Sequence, residues 1–223
     1  FLETTNIVSK PIDKIKAYLN CHERDHVPDQ DKLFNKNVNF SWDLIHKILL
    51  PHFENDLDRL DQVLLADYNG KLLYNFSPVN NSLHEYFGLN SISPFLSQDI
   101  ISYLIPMQNK FKYYQKDNIG KLLLRKLLQE YKEDMLVTNE KLGFNVNTQD
   151  LWKRYGKQLC EKYLIDGQII KHNIINHDWI NCYIDKKNLE IRYVNKFLGL
   201  LAVEIWYRLF ITKEMDSNTT LDS

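Results

Sequence analysis

The chain has 223 residues, and its 28 lysines and arginines against 29 aspartates and glutamates give a formal net charge of −1 at pH 7. Hydrophobic residues make up 44% and aromatic residues 13%, which excludes a disordered chain and favours a folded globular protein. Because a balanced charge produces no long-range field, neither nucleic acid nor an anionic membrane is expected as a partner.

The cysteines and the chain termini bear on the compartment. Cys21, Cys160 and Cys182 are too widely spaced for a disulfide framework or a metal-ligand set, so they predict a reduced, cytoplasmic protein. The most apolar stretch, 197–210, is too short to span a bilayer. The first residue is Phe1 rather than an initiator methionine, and no secretory signal follows it. We therefore expect a fragment or a trimmed product.

Hydrophobic periodicity predicts a mainly α fold. The predicted helices cover residues 12–19, 42–49, 55–67, 80–87, 94–104, 120–131, 148–164, 178–184 and 193–211. Pro51 should interrupt the second helix, Gly70 should end the third, and Gly88 should cap the fourth. Residues 20–38 are polar and loop-like, and 168–176 is the stretch with some strand character.

The predicted organisation has three parts. Residues 1–54 form a helical and loop segment, 55–212 form the main helical region, and 213–223 form a tail that we expect to bury nothing and to be mobile. Neither an internal repeat nor a persistent heptad pattern occurs along the chain.

The region from Gly120 to Phe144 carries the strongest candidate for a functional site. Lys121 and Arg125 are four residues apart and share one face of the predicted helix. Free backbone N–H groups at a helix N-terminus, together with the charge of Lys121, would make a phosphate site. The alternative is an ordinary amphipathic helix with solvated basic residues, of which seven lie between positions 110 and 132.

Two histidine pairs offer weaker candidates for metal binding. His22 and His26 belong to a literal His-Glu-x-x-His pattern, which on a buried helix would bind catalytic zinc. Here the flanks are polar and Pro28 follows almost at once, so we interpret the match as a chance occurrence in a surface loop and expect no metal site. His172 and His177 are interpreted as surface histidines.

Five short motifs follow one another along the chain in a recognisable order. They are Leu64-Leu65-Ala66-Asp67, Ser93-Pro94-Phe95-Leu96, Lys121-Leu122-Leu123-Leu124-Arg125, Lys141-Leu142-Gly143-Phe144 and Leu151-Trp152. This order, over residues of about 56–210, resembles the C-terminal half of the synthetase domain of glutamine-dependent asparagine synthetases and of related enzymes such as β-lactam synthetase.

The resemblance implies both a fold and an activity. The fold would be the helical C-terminal half of an adenine nucleotide alpha hydrolase-like domain, with the parallel sheet and its nucleotide loop absent from this chain. The activity would be that of an ATP-dependent ligase and amidotransferase of asparagine biosynthesis, which forms an acyl-adenylate that ammonia or an amine attacks. The complete enzyme would use ATP and Mg²⁺, and none is expected for this chain alone. The expected partners are the missing N-terminal synthetase half and a glutaminase domain, with a homodimer as a further alternative.

The resemblance also assigns roles to residues. Lys121 would contact the nucleotide phosphates and act in catalysis, Asn90 would bind substrate, and Arg125 would bind substrate or support its own helix. Two departures point to a divergent or inactive site. The family's Ser-Gly-Gly-x-Asp-Ser and Gly-x-Asp-Glu segments are absent from the sequence, and Asn90, Ile92 and Ser97 stand where the family has an acid, an arginine and an aspartate. An amide cannot act as a general base in the way a carboxylate does. The alternative is a non-catalytic helical module that binds a partner protein.

Overall fold

The computed structural model describes residues 10–21, 29–131 and 147–221. The helices and strands in chain order are α1 Pro11–Asn20, α2 Gln30–Leu33, α3 Trp42–Phe53, α4 Arg59–Ala66, α5 Ser77–Tyr86, α6 Gln98–Leu104, β1 Tyr113–Tyr114, β2 Ile119–Gly120, α7 Leu122–Glu130, α8 Thr148–Leu151, α9 Lys157–Leu164, α10 Gln168–Lys171, α11 His177–Ile184 and α12 Ile191–Tyr207. Wide π-helical turns occupy Asp67–Phe76, Trp152–Gly156 and Arg208–Thr212, and 3₁₀ turns occupy Pro94–Leu96 and Asn109–Phe111. The mainly α prediction is confirmed. Among the described helices, none is long and apolar enough to cross a membrane.

The chain divides into two compact units. The described residues of the first are 13–21, 29–48 and 147–221, and those of the second are 10–12 and 49–131. This division follows spatial contacts alone, and the boundaries predicted at residues 54 and 212 stay a prediction.

The first unit has a well-packed core around α9 and α12. Val194, Phe197, Leu201 and Glu204 recur along α12 at spacings of three and four, so one face of this helix is buried. Phe197 is fully buried, and its ring lies 5.4 Å from that of Trp152. Trp152 therefore serves the core of this unit.

Residues 168–176 do not form the strand that we considered. They begin with the short helix α10. Among the described residues, their pairing with another extended segment is a single antiparallel bridge between Ile175 and Phe34. The reason is a tertiary contact, because the buried carboxylate of Glu204 accepts hydrogen bonds from the backbone N–H groups of Gln168 (2.7 Å) and Ile169 (2.9 Å). These N–H groups have no partner within their own helix, and Glu204 caps them.

The tail also differs from expectation, because it does bury apolar side chains. Met215 and Leu221 are partly buried and pack against the core of the first unit. Whether the tail is mobile stays a prediction.

In the second unit, the helix predicted to end near Gly70 continues. The helix α4 passes through the π-helical turns Asp67–Phe76 into α5, and Ser77 N–H donates to Leu72 O. Gly70 lowers helix stability but does not itself end a helix. The wide turns come just before Pro78, whose missing N–H would otherwise interrupt the regular pattern. In α3, likewise, Pro51 does not end the helix, which runs on to Phe53.

The end of α5 confirms the predicted glycine cap. Gly88 has φ +68°, its N–H donates to Glu85 O (2.9 Å), and Leu89 N–H donates to His84 O (2.8 Å). These paired bonds form a Schellman motif, which glycine favours because it has no Cβ.

Candidate functional site

A pocket of about 360 Å³ lies within the second unit. Its walls come from α4 and the turns that follow it, the Pro94–Leu96 turn, α6 and the start of α7. Three charged side chains line it, Asp61, Lys112 and Lys121, and the other lining residues are apolar or aromatic.

Three of the five motifs meet at this pocket. Leu64 and Leu65 come from the first motif, Phe95 and Leu96 from the second, and Lys121 to Leu124 from the third. These segments are far apart in the sequence, and the fold brings them together at one pocket. Concave, mostly apolar pockets with a few polar groups are typical ligand sites.

Lys112 and Asp61 form an ion pair at the pocket wall. Nζ of Lys112 lies 2.7 Å from Oδ1 of Asp61 and also donates to Ile105 O at 2.9 Å. The two side chains are only 11% and 19% exposed. Neither residue stands out in the sequence, because nothing local pairs charges that are 51 positions apart.

Lys121 occupies an unusual backbone conformation at the start of α7. It has φ +58° and ψ +36°, in the left-handed region that few non-glycine residues adopt. Its side chain is exposed, lines the pocket, and has no ion pair or hydrogen bond with the residues that the structure describes. A strained residue at a pocket is a sound starting point for a functional hypothesis.

Arg125 supports the backbone that leads into Lys121. Its Nε donates to Gly120 O at 3.0 Å, and its backbone N–H donates to Lys121 O at 3.0 Å. The side chain is partly buried and is not among the pocket-lining residues. The geometry therefore agrees with the helix-supporting alternative, and substrate binding by Arg125 stays a prediction.

Asn90 lies apart from the lining residues. It is exposed, follows the Gly88 cap, and does not line the pocket. Its role in substrate binding stays a prediction.

The remaining candidates are distributed as follows. The Lys141–Phe144 motif and the His22–His26 pattern lie outside the described residues. His172 and His177 are exposed, as predicted, and Nδ1 of His172 lies 2.7 Å from the hydroxyl of Tyr207. Within the described residues, no group of three His, Cys, Asp or Glu side chains is placed to hold a metal ion.

The chain is thus mainly helical, and its Pro-Phe-Leu turn and the start of its Lys-x-x-x-Arg helix meet at one pocket. The family model for asparagine synthase matches residues 10–208, most of the chain, and the chain belongs to this family. The match begins well before residue 56, where the resemblance in the sequence motifs begins. No curated protein and no solved structure matches the chain.

Proposed function

We propose that this chain is the helical portion of an ATP-dependent amide-forming ligase, in which a carboxylate is activated as an acyl-adenylate and then attacked by ammonia or an amine. The observation that carries the proposal is the meeting of three family motifs at one pocket, with Lys121 at its edge. Family membership supports the ligase class, and the reaction is our inference from it.

In this proposal Lys121 is the catalytic residue. An ammonium group beside the reacting carboxylate stabilises the negative charge that develops on the transferring group, and a fixed charge loses little energy to reorganisation. Arg125 acts as a positioning residue, because its bond to Gly120 O holds the turn from which Lys121 projects. Asn90 is a secondary candidate for contact with the substrate.

We expect ATP and Mg²⁺ to bind the complete enzyme rather than this chain alone. A triphosphate with Mg²⁺ requires backbone N–H groups of a glycine-rich loop and carboxylate ligands. The Ser-Gly-Gly-x-Asp-Ser segment is absent from the sequence, and the described residues contain no metal-ligand cluster. In our proposal, ATP and Mg²⁺ belong to the complete cytoplasmic enzyme.

The proposed partner is the N-terminal synthetase half, with a glutaminase domain as a further component. The second unit supports a partner of this kind, because several of its large apolar side chains are exposed. Tyr86 and Ile92 are each 82% exposed, and Phe87 is 67% exposed. Exposed apolar patches mark interaction sites, and we propose that the partner covers these side chains.

The test is carboxylate-dependent pyrophosphate release by the complete protein that contains this chain. Lys121→Asn removes the charge while asparagine tolerates the left-handed conformation, so the variant should stay folded. We expect the rate to fall about 100-fold. The matched control is Lys116→Asn, which makes the same change at an exposed lysine of the hairpin turn and should retain full activity. A normal rate in Lys121→Asn would refute the assignment.

A non-catalytic helical interaction module is the second candidate. It is favoured by Asn90, Ile92 and Ser97, which replace the charged residues of the family, and by the exposure of Ile92. In that case the complete protein would release no pyrophosphate with any carboxylate, in the unchanged sequence as well as in the variants.

A further inference from the structure

We propose that the pocket of the second unit binds a ligand with an apolar body and one negative charge, namely an aliphatic monocarboxylate, and that this is the substrate class of the ligase. The second half of this statement rests on the proposed function. The first half concerns binding alone and is tested without a nucleotide.

The lining determines the apolar body of the ligand. Side chains such as Leu64, Leu72, Phe95 and Leu104 line the pocket and offer no hydrogen bonds, and the hydroxyl of Tyr68 is the uncharged polar side-chain group among the lining residues. An amino group or a second carboxylate buried there would lose its hydration, and one hydroxyl could not replace the lost hydrogen bonds. The lining therefore disfavours a polar substrate such as aspartate.

The net charge of the pocket lining indicates that the ligand carries one negative charge. Asp61 and Lys112 neutralise each other at 2.7 Å, and Lys112 is further bound to Ile105 O. Lys121 is left as the cation among the lining residues that lacks a partner within the described part of the chain. A monoanion matches this net charge of one, and both a neutral and a cationic ligand leave it unmatched.

The position of the charge determines how the ligand lies. Lys121 and the leucines that follow it, Leu122 to Leu124, all line the pocket, and Lys121 is exposed, so its ammonium can stay in contact with water while the leucines offer apolar contact. A carboxylate bound to Lys121 would remain at the opening with its alkyl chain inside. This orientation keeps the carboxylate accessible for activation.

The experiment is calorimetric titration of this full chain with four probes. Octanoate has both required features, octanol lacks the charge, octylamine reverses it, and aspartate lacks the alkyl chain. We expect octanoate to bind about tenfold more tightly than octanol, since one charge-assisted contact accounts for about that factor. Octylamine should bind more weakly than octanol, and aspartate should show no binding.

Two pairs of variants isolate the charge and the pocket. Lys121→Asn should weaken octanoate about tenfold and leave octanol unchanged, whereas Lys116→Asn should change neither. Phe95→Asp places a negative charge on a lining residue that is 60% exposed, so it should weaken octanoate without preventing folding. Phe87→Asp makes the same change at an exposed residue outside the pocket lining and should have no effect.

Several results would overturn the proposal. The first is equal affinity of the unchanged chain for octanoate and octanol. The second is an equal loss of affinity for octanoate and octanol in Lys121→Asn. The third is an equal change in octanoate affinity in Phe95→Asp and Phe87→Asp. A self-associated chain that binds no octanoate would also overturn it, because a second copy would then occupy the pocket.

Failure of this inference can be told apart from failure of the proposed function. If the complete protein releases pyrophosphate with aspartate but not with octanoate, the ligase assignment stands and the substrate class is wrong. If octanoate binds as expected but no carboxylate supports pyrophosphate release, the pocket assignment stands and the ligase assignment is wrong.

Discussion

Gly167 and the carboxylate of Glu204 lie so close that a side chain at position 167 would force one of its neighbours to move. A Cβ atom there would lie 2.9 Å from Oε2 of Glu204 and 2.7 Å from the carbonyl oxygen of Tyr163. Glu204 cannot easily move away, because it is fully buried, caps α10 and lies 2.5 Å from Nε of Arg208. The sequence spacing of these residues gives no hint of this contact.

The first prediction concerns Gly167→Ala. We expect the free energy of unfolding to fall by about 2 kcal/mol, since overpacking a buried contact typically costs that much. The matched control is Gly199→Ala, on the exposed side of α12 with open space around the added Cβ. That variant should raise stability by about 0.5 to 1 kcal/mol through helix propensity. Urea unfolding measures the change in the free energy of unfolding for both variants. Equal changes would contradict a close contact between Gly167 and Glu204.

The second prediction concerns the Asp61–Lys112 ion pair. Asp61→Leu leaves the largely buried ammonium of Lys112 without its anion, and we expect a loss of about 2 kcal/mol. The double variant Asp61→Leu/Lys112→Met removes both charges, so most of that loss should be recovered. Urea unfolding of the single and double variants measures the coupling. If the double variant lost more stability than Asp61→Leu alone, the ion pair would not account for the stability of the second unit.

How much the sequence could predict follows from the range of each interaction. The longer helices and the Gly88 cap depend on residues within a few positions, and the structure confirms them, except that Gly120 and Lys121 precede α7 and the short helix α2 lies in the stretch predicted to be a loop. Gly70 and residues 168–176 were mispredicted because wide turns and the distant Glu204 override local preference. The Tyr113–Tyr114 and Ile119–Gly120 hairpin was missed because strands of two residues are too short to show alternation.

The candidate site was predictable to a similar degree. Motif order selected Lys121 and the Pro94–Leu96 turn, which the pocket brings together. Asp61 and Lys112 were not selected, because pairing charges across 51 positions requires the fold itself. Local patterns identify residue types that are capable of catalysis or binding. Only tertiary structure distinguishes a paired charge from an unpaired one.

The third prediction concerns the reactivity of the cysteines. Burial, with a contribution from the charge of Glu161, raises the pKa of the Cys160 thiol to about 12. Its Sγ also lies 3.6 Å from Phe197 O, within the core of the first unit. Because the thiolate is the reactive form, Cys160 should resist alkylation in the native protein.

Cys21 and Cys182 provide the internal comparison, because both are exposed. We expect iodoacetamide at neutral pH to label these two thiols rapidly and Cys160 only after urea is added, as mass spectrometry of the peptides would report. Equal native labelling of all three cysteines would contradict the buried position of Cys160.

The fourth prediction concerns stability at alkaline pH, and it follows from the hydrogen bonds to Asp29. The carboxylate of Asp29 accepts hydrogen bonds from the hydroxyls of Tyr183 (2.6 Å) and Tyr193 (3.1 Å) and from Nε1 of Trp179 (3.1 Å). The hydrogen bond to Asp29 raises the pKa of Tyr183 above its ordinary value of 10.0, and burial raises that of Tyr193.

A raised pKa in the folded state means that the folded protein holds these protons more tightly than the unfolded chain does. The stabilisation is therefore complete below about pH 10 and is lost progressively as the pH rises above that value. The buried thiol of Cys160 changes stability in the same direction. We expect the free energy of unfolding, measured by urea titration, to be level between pH 7 and 8, to begin falling near pH 9, the ordinary pKa of a thiol such as Cys160, and to fall more steeply above pH 10.

Tyr183→Phe isolates the contribution of the tyrosine. It should lower stability at pH 7 by about 1 kcal/mol, because one hydrogen bond to Asp29 is lost, and it should flatten the alkaline decline. Tyr155→Phe is the matched control on an exposed tyrosine of the same unit, and it should reproduce the unchanged curve. An alkaline decline of unchanged slope in Tyr183→Phe would assign the pH dependence to other groups, with Cys160 and Tyr193 as the next to test.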